Sequence, residues 1–356
     1  PRRLEKPPSC LSVAQANRGC VGCSPSRLLD ARQSAPPDNP TLRIFRVALL
    51  MFKNLVVYRV SAPDGSPWQA DLAQIEAGLQ KARFVPCAST QPVSLGWVPP
   101  RETDSPTAPL AESVGGQFVM RLMVEQRVLP SSVVKRHTQE LARKIEQTTG
   151  RKPGKRQSKE LKEEALLSLL PRAFTKQATA HVWLDPKAGL LMVDASSPKR
   201  AEDAATVLIQ ALPGLALRLV QTTLSPAVAM TAWLASGEAP AGFSVDRECE
   251  LKSADEMKSV VRYARHPLDT DEVRAHVQAG GKQPTRLAMT WRGRVSFVLT
   301  DGLQIKKLSV EDGVFDAGRT GRDDDGFDAD AAIATGELRQ LIPDLVAALD
   351  GELVTA

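Results

Sequence analysis

The chain has 356 residues, a formal net charge of +5, and 42% hydrophobic, 24% charged and 4% aromatic residues, the balance of a folded protein and not of a disordered one. No apolar run approaches the roughly 20 residues of a membrane span, which excludes a transmembrane helix. The whole charge excess lies in residues 1–50, with 8 basic and 3 acidic side chains, so a nucleic-acid partner can be argued only from where charge sits in the rest.

Residues 1–50 are rich in Pro, Ser and Arg and show neither helical nor strand periodicity. They read as a disordered tail, with Met51 expected to be the true start and the tail to be upstream sequence translated in frame. The tail holds a C-x-x-C at Cys20 and Cys23 with no second pair or nearby His to complete a zinc site. In the body Cys87 and Cys249 remain, which suits buried free thiols in a reducing compartment, the cytoplasm.

From Met51 the sequence turns apolar and β-branched. Strands are predicted at 52–60, 117–125, 180–184, 190–194, 286–291, 295–300 and 304–308, with hairpin turns at 185–189, Arg292-Gly293 and Asp301-Gly302. Helical spacing places Leu72, Ile75, Ala77 and Leu79 on one helix, and Ala201, Ala205, Leu208 and Ile209 inward on another that is capped by Ser196 and Ser197 and opened by Pro198. Val133, His137, Leu141 and Ile145 predict a helix capped by Ser131 and Ser132; after the basic linker at 150–157, Ser158 opens a second that ends at Pro171. A closing helix is predicted after Thr335, bent or restarted at Pro343. Strands, hairpins and intercalated helices make the fold class α+β, with antiparallel sheets, packed helices and an αα-hairpin that projects from them. The organisation expected is a tail (1–50), an N-terminal sheet and helix region (51–129), a helical tip (130–176), a central α+β region (177–245) and a C-terminal α+β region (246–356).

The body is neutral but polarised. Residues 121–176 hold 14 Lys/Arg against 6 Glu, residues 258–307 hold 10 against 4 acids, and residues 309–356 hold 3 against 12. Two separated basic stretches with no enzymatic motif point toward phosphate-backbone binding. There is no helix-turn-helix, zinc finger or basic zipper to read sequence. The glycine loops lack the phosphate-cradling spacing, and neither G-x-S-x-G nor H-E-x-x-H occurs. Two rivals stay open: a metal-dependent nuclease built on Asp323, Asp324, Asp325, Asp328 and Asp330, and a protein-interaction scaffold using the acidic third.

The blocks "FKNLVVYRV", "FVPC…GWVPP", "VLPSSVVKRH", "LLPRAF", "WLDPKAGLLMVDASSPKRAED", "TAWLASGEAPAGF", "ECELK" and "FDADAAIATGEL" stand in this order over 51–353 and resemble the RdgC family of recombination-associated proteins. The resemblance implies a horseshoe-shaped protomer and a homodimeric ring, with the two basic stretches lining its hole and the acidic third facing outward. Such a ring encircles double-stranded DNA without sequence preference in the cytoplasm, on the nucleoid. It would antagonise RecA and modulate RecA-dependent recombination and replication-fork repair, with no enzymatic activity and no cofactor. It implies DNA contacts from Lys135, Arg136, Arg172, Arg262, Arg265, His266, Lys282 and Arg286, and a dimer contact from Phe174. The family pattern is richer in Lys and Gln where this chain has Pro267.

Overall fold

A computed structural model describes residues 51–101, 103, 105–253, 259–278, 281–311 and 327–353. Twelve strands form one antiparallel sheet: β1 (Leu55–Ser61), β2 (Val93–Val98), β3 (Ala111–Val114), β4 (Gln117–Val128), β5 (Phe174–Asp185), β6 (Leu190–Asp194), β7 (Ala216–Leu219), β8 (Phe243–Ser253), β9 (Val260–Ala264), β10 (Lys282–Trp291), β11 (Val295–Thr300) and β12 (Ile305–Val310). Seven helices are described: α1 (Leu72–Lys81), α2 (Ser131–Thr149), α3 (Lys155–Leu169), α4 (Pro198–Ala211), α5 (Pro226–Ser236), α6 (Asp271–Gln278) and α7 (Phe327–Ala348). The α+β class and antiparallel pairing follow the sequence reading. Among the described residues no helix is long and apolar enough to cross a membrane.

The strand order is β2-β4-β5-β6-β1-β12-β11-β10-β8-β9, with β3 on β4 and β7 on β1. The halves meet at the pair Leu55↔Ile305. β1 is apolar without interruption from Leu55 to Tyr58 because both its faces are covered. Leu55 and Val57 enter one core with α5, α6 and α7, while Val56, Tyr58 and Val60 enter the other with α1 and α4. Cys249, buried in the first core, has its thiol pushed up to about 12 by burial; Cys87 is also a free thiol but only half-buried.

Several boundaries depart from the sequence reading. Pro130 is the N-cap of α2, with Ser131 and Ser132 inside the first turn; α3 starts at Lys155 on the N-cap Gly154, not at Ser158. Gly150 ends α2 at φ +69°, the left-handed conformation a helix C-terminus assigns to glycine. Ser197 caps α4 by position alone, and Ile209, expected inward, is exposed. α7 starts at Phe327 and continues through Pro343 without restarting. Among the strands not expected, β2 contains Gly96, where a Cβ would meet the Phe84 Cα at 2.3 Å, so only glycine fits.

On β5, His181 lies opposite Arg121 and against the Phe52 ring. Burial first, and then the Arg121 charge, push its imidazole down from 6.5 to about 4. The unfolded chain therefore takes up a proton in the window from about 6.5 to 4 that the folded chain refuses, and stability falls as pH is lowered through it. Urea unfolding should show a loss of about 2 kcal/mol between pH 7 and pH 5, and His181→Leu should abolish that step. The same loss in the variant would assign it to other groups.

Candidate nucleic-acid interface

β4 and β5 pair from Phe118↔Leu184 to Val128↔Phe174, and α2 and α3, packed on each other, connect their far ends. The core has ended by then: β5 is exposed from Phe174 to Gln177 and buried from Val182 to Asp185. Only Val134 of α2 and only Leu161 and Ala165 of α3 are buried, so nearly every charged side chain of this pair meets solvent.

Of the 14 cations between residues 121 and 176, four are engaged. Arg121 has partners within the fold. Arg127 is spent on backbone: its guanidinium donates to the carbonyls of Cys87, Ala88, Leu170 and Ala173 at 3.1–3.3 Å, tying the 84–92 loop and the turn before Phe174 to β4. Arg136 and Arg156 pair with Glu140 at 3.8 Å and Glu160 at 3.2 Å, exposed i,i+4 contacts worth a few tenths of a kcal/mol. The other ten, Lys135, Arg143, Lys144, Arg151, Lys152, Lys155, Lys159, Lys162, Arg172 and Lys176, are exposed and have no side-chain partner among the described residues.

The same region gathers exposed apolar groups. Phe174 is 88% exposed and Leu167 63%, with Val128 and Val133 beside them in the sequence of the tip; a core role for Phe174 is thereby excluded. A cavity of about 880 Å³ between α2 and α3 is lined by Leu129, Val134 and Leu166 together with Lys135, Thr138 and Lys162. Leu129 follows Val128, the strand partner of Phe174.

The second basic stretch behaves differently, because the fold supplies it with carboxylates. Arg262 Nε donates to Glu250 at 2.6 Å, Lys307 to Glu248 at 2.5 Å, Arg274 to Asp271 at 3.0 Å and Arg292 to Asp344 at 2.8 Å, and Arg294 is hydrogen-bonded to Glu337. Lys282 is half-buried with its Nζ 3.2 Å from His276 Nδ1. His266 packs against Tyr263 at 5.5 Å between centroids. Arg286 is exposed on the strand position opposite Glu250. Arg265 is exposed at φ +58°, in the turn that closes β9 before Pro267, a conformation that is strained for a non-glycine residue.

The acidic third does not simply turn outward, as the resemblance implied. Asp328 pairs with Arg101 at 2.6 Å, Asp344 with Arg292 and Glu337 with Arg294, while Glu352 joins Arg59 and Arg218. Asp323, Asp324 and Asp325 lie outside the described residues, among which no group of three or more His, Cys, Asp or Glu side chains could hold a metal. A second cavity of about 710 Å³, beside α5 and β8, carries Glu238, Asp246 and Asp269 against Arg247 on its wall, an excess of negative charge that disfavours phosphate.

The α2–α3 cations and Phe174 named from the sequence are exposed in the structure, whereas the carboxylates Glu248 and Glu250 were not anticipated. The signal for them was in "DRECELK", where alternate residues are acidic on the face opposite Cys249 and Leu251.

Residues 50–352 match a family model described as "Putative exonuclease, RdgC". Similar proteins named "Recombination-associated protein RdgC" occur in Dechloromonas aromatica, 46% identical over 86% of this chain and 100% of that protein, and in Cupriavidus necator, 44% identical over 85% and 99%. That of Bordetella pertussis is 39% identical over the same shares, 85% and 99%.

Proposed function

The chain belongs to the RdgC family, and from that premise we propose that it is a non-sequence-specific double-stranded DNA-binding protein, a homodimer that closes as a ring around the duplex and so restrains RecA-dependent recombination and fork repair on the nucleoid. The observation that carries the reading is the set of ten exposed cations on and beside α2 and α3 that have no side-chain partner among the described residues. The glutamates of the same two helices are fewer than the cations, and Glu140 and Glu160 touch only Arg136 and Arg156; a surface with such an excess of unpaired positive charge is what a phosphate backbone selects, by neutralisation and counterion release. No element of base reading accompanies them, which fits binding without sequence preference.

The apolar groups in the same region support the dimer. A two-fold contact brings the same patch of both protomers together. Val128, the strand partner of Phe174, precedes Leu129 on the wall of a partly apolar cavity, and we take such a contact to seat each Phe174 in the groove between α2 and α3 of its partner. The remaining cations, those of β9 and β10, lie across the sheet: β5 and β10 are five strand steps apart, about 24 Å at about 4.8 Å per step. A protomer curved as a horseshoe would set these two stretches around one duplex.

A second reading, a metal-dependent nuclease, is favoured by the family model's description. One experiment separates the two. The protein is loaded on covalently closed and on linear duplex of equal length with Mg²⁺ or Mn²⁺ present, then washed at high salt. An enclosing ring is retained on the closed circle, lost from the linear duplex and leaves both uncut. Equal loss from both contradicts enclosure, and nicking or resection that depends on the metal supports the nuclease.

A further inference from the structure

Ten of the cations on and beside α2 and α3 are bare among the described residues, but two in the C-terminal half of the sheet, Arg262 and Lys307, are held by glutamates of one strand, β8. β8 lies between β9 and β10, with Glu250 opposite Arg262 on one side and Arg286 on the other. The neighbours in register, Cys249, Tyr263 and Leu287, point into the core, so the charged three form a row on the opposite face. In that row Glu250 is mostly covered, its side chain 17% exposed, while Arg262 is 73% exposed. One Glu250 oxygen accepts from Arg262 Nε at 2.6 Å and the other from Thr285 Oγ1 at 3.0 Å. The hydrogen bond from Arg262, followed by that from Thr285 and the charge of Arg286, holds the Glu250 carboxyl below the ordinary carboxylate range.

The geometry around the row is that of a recess. Lys307 on β12 reaches Glu248 on β8 at 2.5 Å although β11 and β10 lie between them. Three strand steps are about 14 Å. Side chains standing upright on a flat sheet would not meet across that gap, so this face curls inward. Beneath the bridge Ala288 and Val298, opposite one another on β10 and β11, are buried although neither belongs to a core cluster.

A carboxylate beside an arginine is usually read as cancelling it. Here it takes only the Nε edge. The two terminal amino groups of Arg262 have no partner among the described residues, and a guanidinium presents its donors as a rigid planar fork. We propose that Glu250 is a positioning residue of the nucleic-acid surface: it fixes Arg262, and with it the row to Arg286, so that the terminal N–H groups are pre-set for a phosphate of the duplex. This rests on the DNA-binding reading above. Ordering a long side chain before the ligand arrives removes an entropic cost that binding would otherwise carry.

The proposal has a sign that simple charge counting reverses. Glu250→Gln removes a negative charge and should tighten binding if Glu250 only repels DNA. As a positioning residue, its removal should weaken duplex affinity about 3- to 10-fold and lower the slope of log affinity against log salt by about one, as expected when one phosphate fewer is neutralised. In an Arg262→Ala background the same change should tighten binding, since only repulsion is left to remove. Glu250→Gln gives up the charge-assisted bond from Arg262 and so lowers the urea midpoint modestly, but with the row outside both cores the variant stays fully folded without denaturant, and a binding assay on the folded protein separates the effect from unfolding. Tighter or unchanged binding by Glu250→Gln in the otherwise native chain overturns the inference while leaving DNA binding standing. A native chain that binds no duplex overturns both.

Discussion

Replacing Phe174 by serine is expected to raise the dissociation constant for self-association by about 10²- to 10⁴-fold. Burying one Phe side chain contributes about 1.5–3 kcal/mol, and a two-fold contact buries two, so about 3–6 kcal/mol is removed, at about 1.4 kcal/mol per tenfold. The ring is 88% exposed in the single chain and belongs to neither core cluster, so the change removes little from the fold of the protomer. Sedimentation equilibrium over a concentration series reads the constant directly, and the thermal midpoint of the monomer should stay within about 1 °C. Leu167→Ser, on α3 in the same region, should act in the same direction with a smaller effect. An unchanged constant for Phe174→Ser would take this residue out of the interface, and with it the two-fold seating between α2 and α3.

The reason for an exposed phenylalanine at this point lies in the turn before it. Arg127 gathers the carbonyls of Leu170 and Ala173, which fixes the backbone from which Phe174 starts β5. A guanidinium satisfied by carbonyls cannot also serve a phosphate, so Arg127 belongs to the scaffold of the tip and not to its charge.

Much of the architecture was legible in the sequence because periodicity is local. The hairpins at 185–189, 292–294 and 301–304 carry their turn residues in the chain, and α1 shows its capping box at Asp71 and Gln74. Elements whose signal is tertiary were missed. β2 is six residues interrupted by Gly96, which is there because Phe84 crosses against it. β8 bears charge on every exposed position from Arg247 to Lys252, and its apolar face shows as Phe243, Val245, Cys249 and Leu251. α5 carries almost no polar face and so has no helical stripe to find; Ala229, Met230, Trp233 and Leu234 are all buried.

The site divides in the same way. For α2 and α3 a window count sufficed, because the cations and the few glutamates that touch them are four residues apart. In the C-terminal half the count misled. Glu248 and Glu250 precede the window 258–307, and Glu337 and Asp344 follow it, yet these four carboxylates meet Lys307, Arg262, Arg294 and Arg292 in space. Net charge in a window says nothing about partners brought in by strand pairing or by a helix 43 residues further on. The result is a contrast between cations on the helices that are bare among the described residues and cations on the sheet that are paired with carboxylates.

On the proposed function the bare cations of α2 and α3 are expected to be the main source of affinity for duplex DNA, and the salt dependence of binding measures it. If roughly 6 to 10 phosphates are bound, affinity for a random duplex should fall by about 10³ to 10⁵ between 50 and 200 mM salt. Replacing Lys144, Arg151, Lys152 and Lys155 together by alanine should reduce the slope of log affinity against log salt by about 3 to 4, with no change in preference among sequences. A slope near zero for the native chain, or an undiminished slope in the fourfold variant, would contradict a duplex held by these side chains.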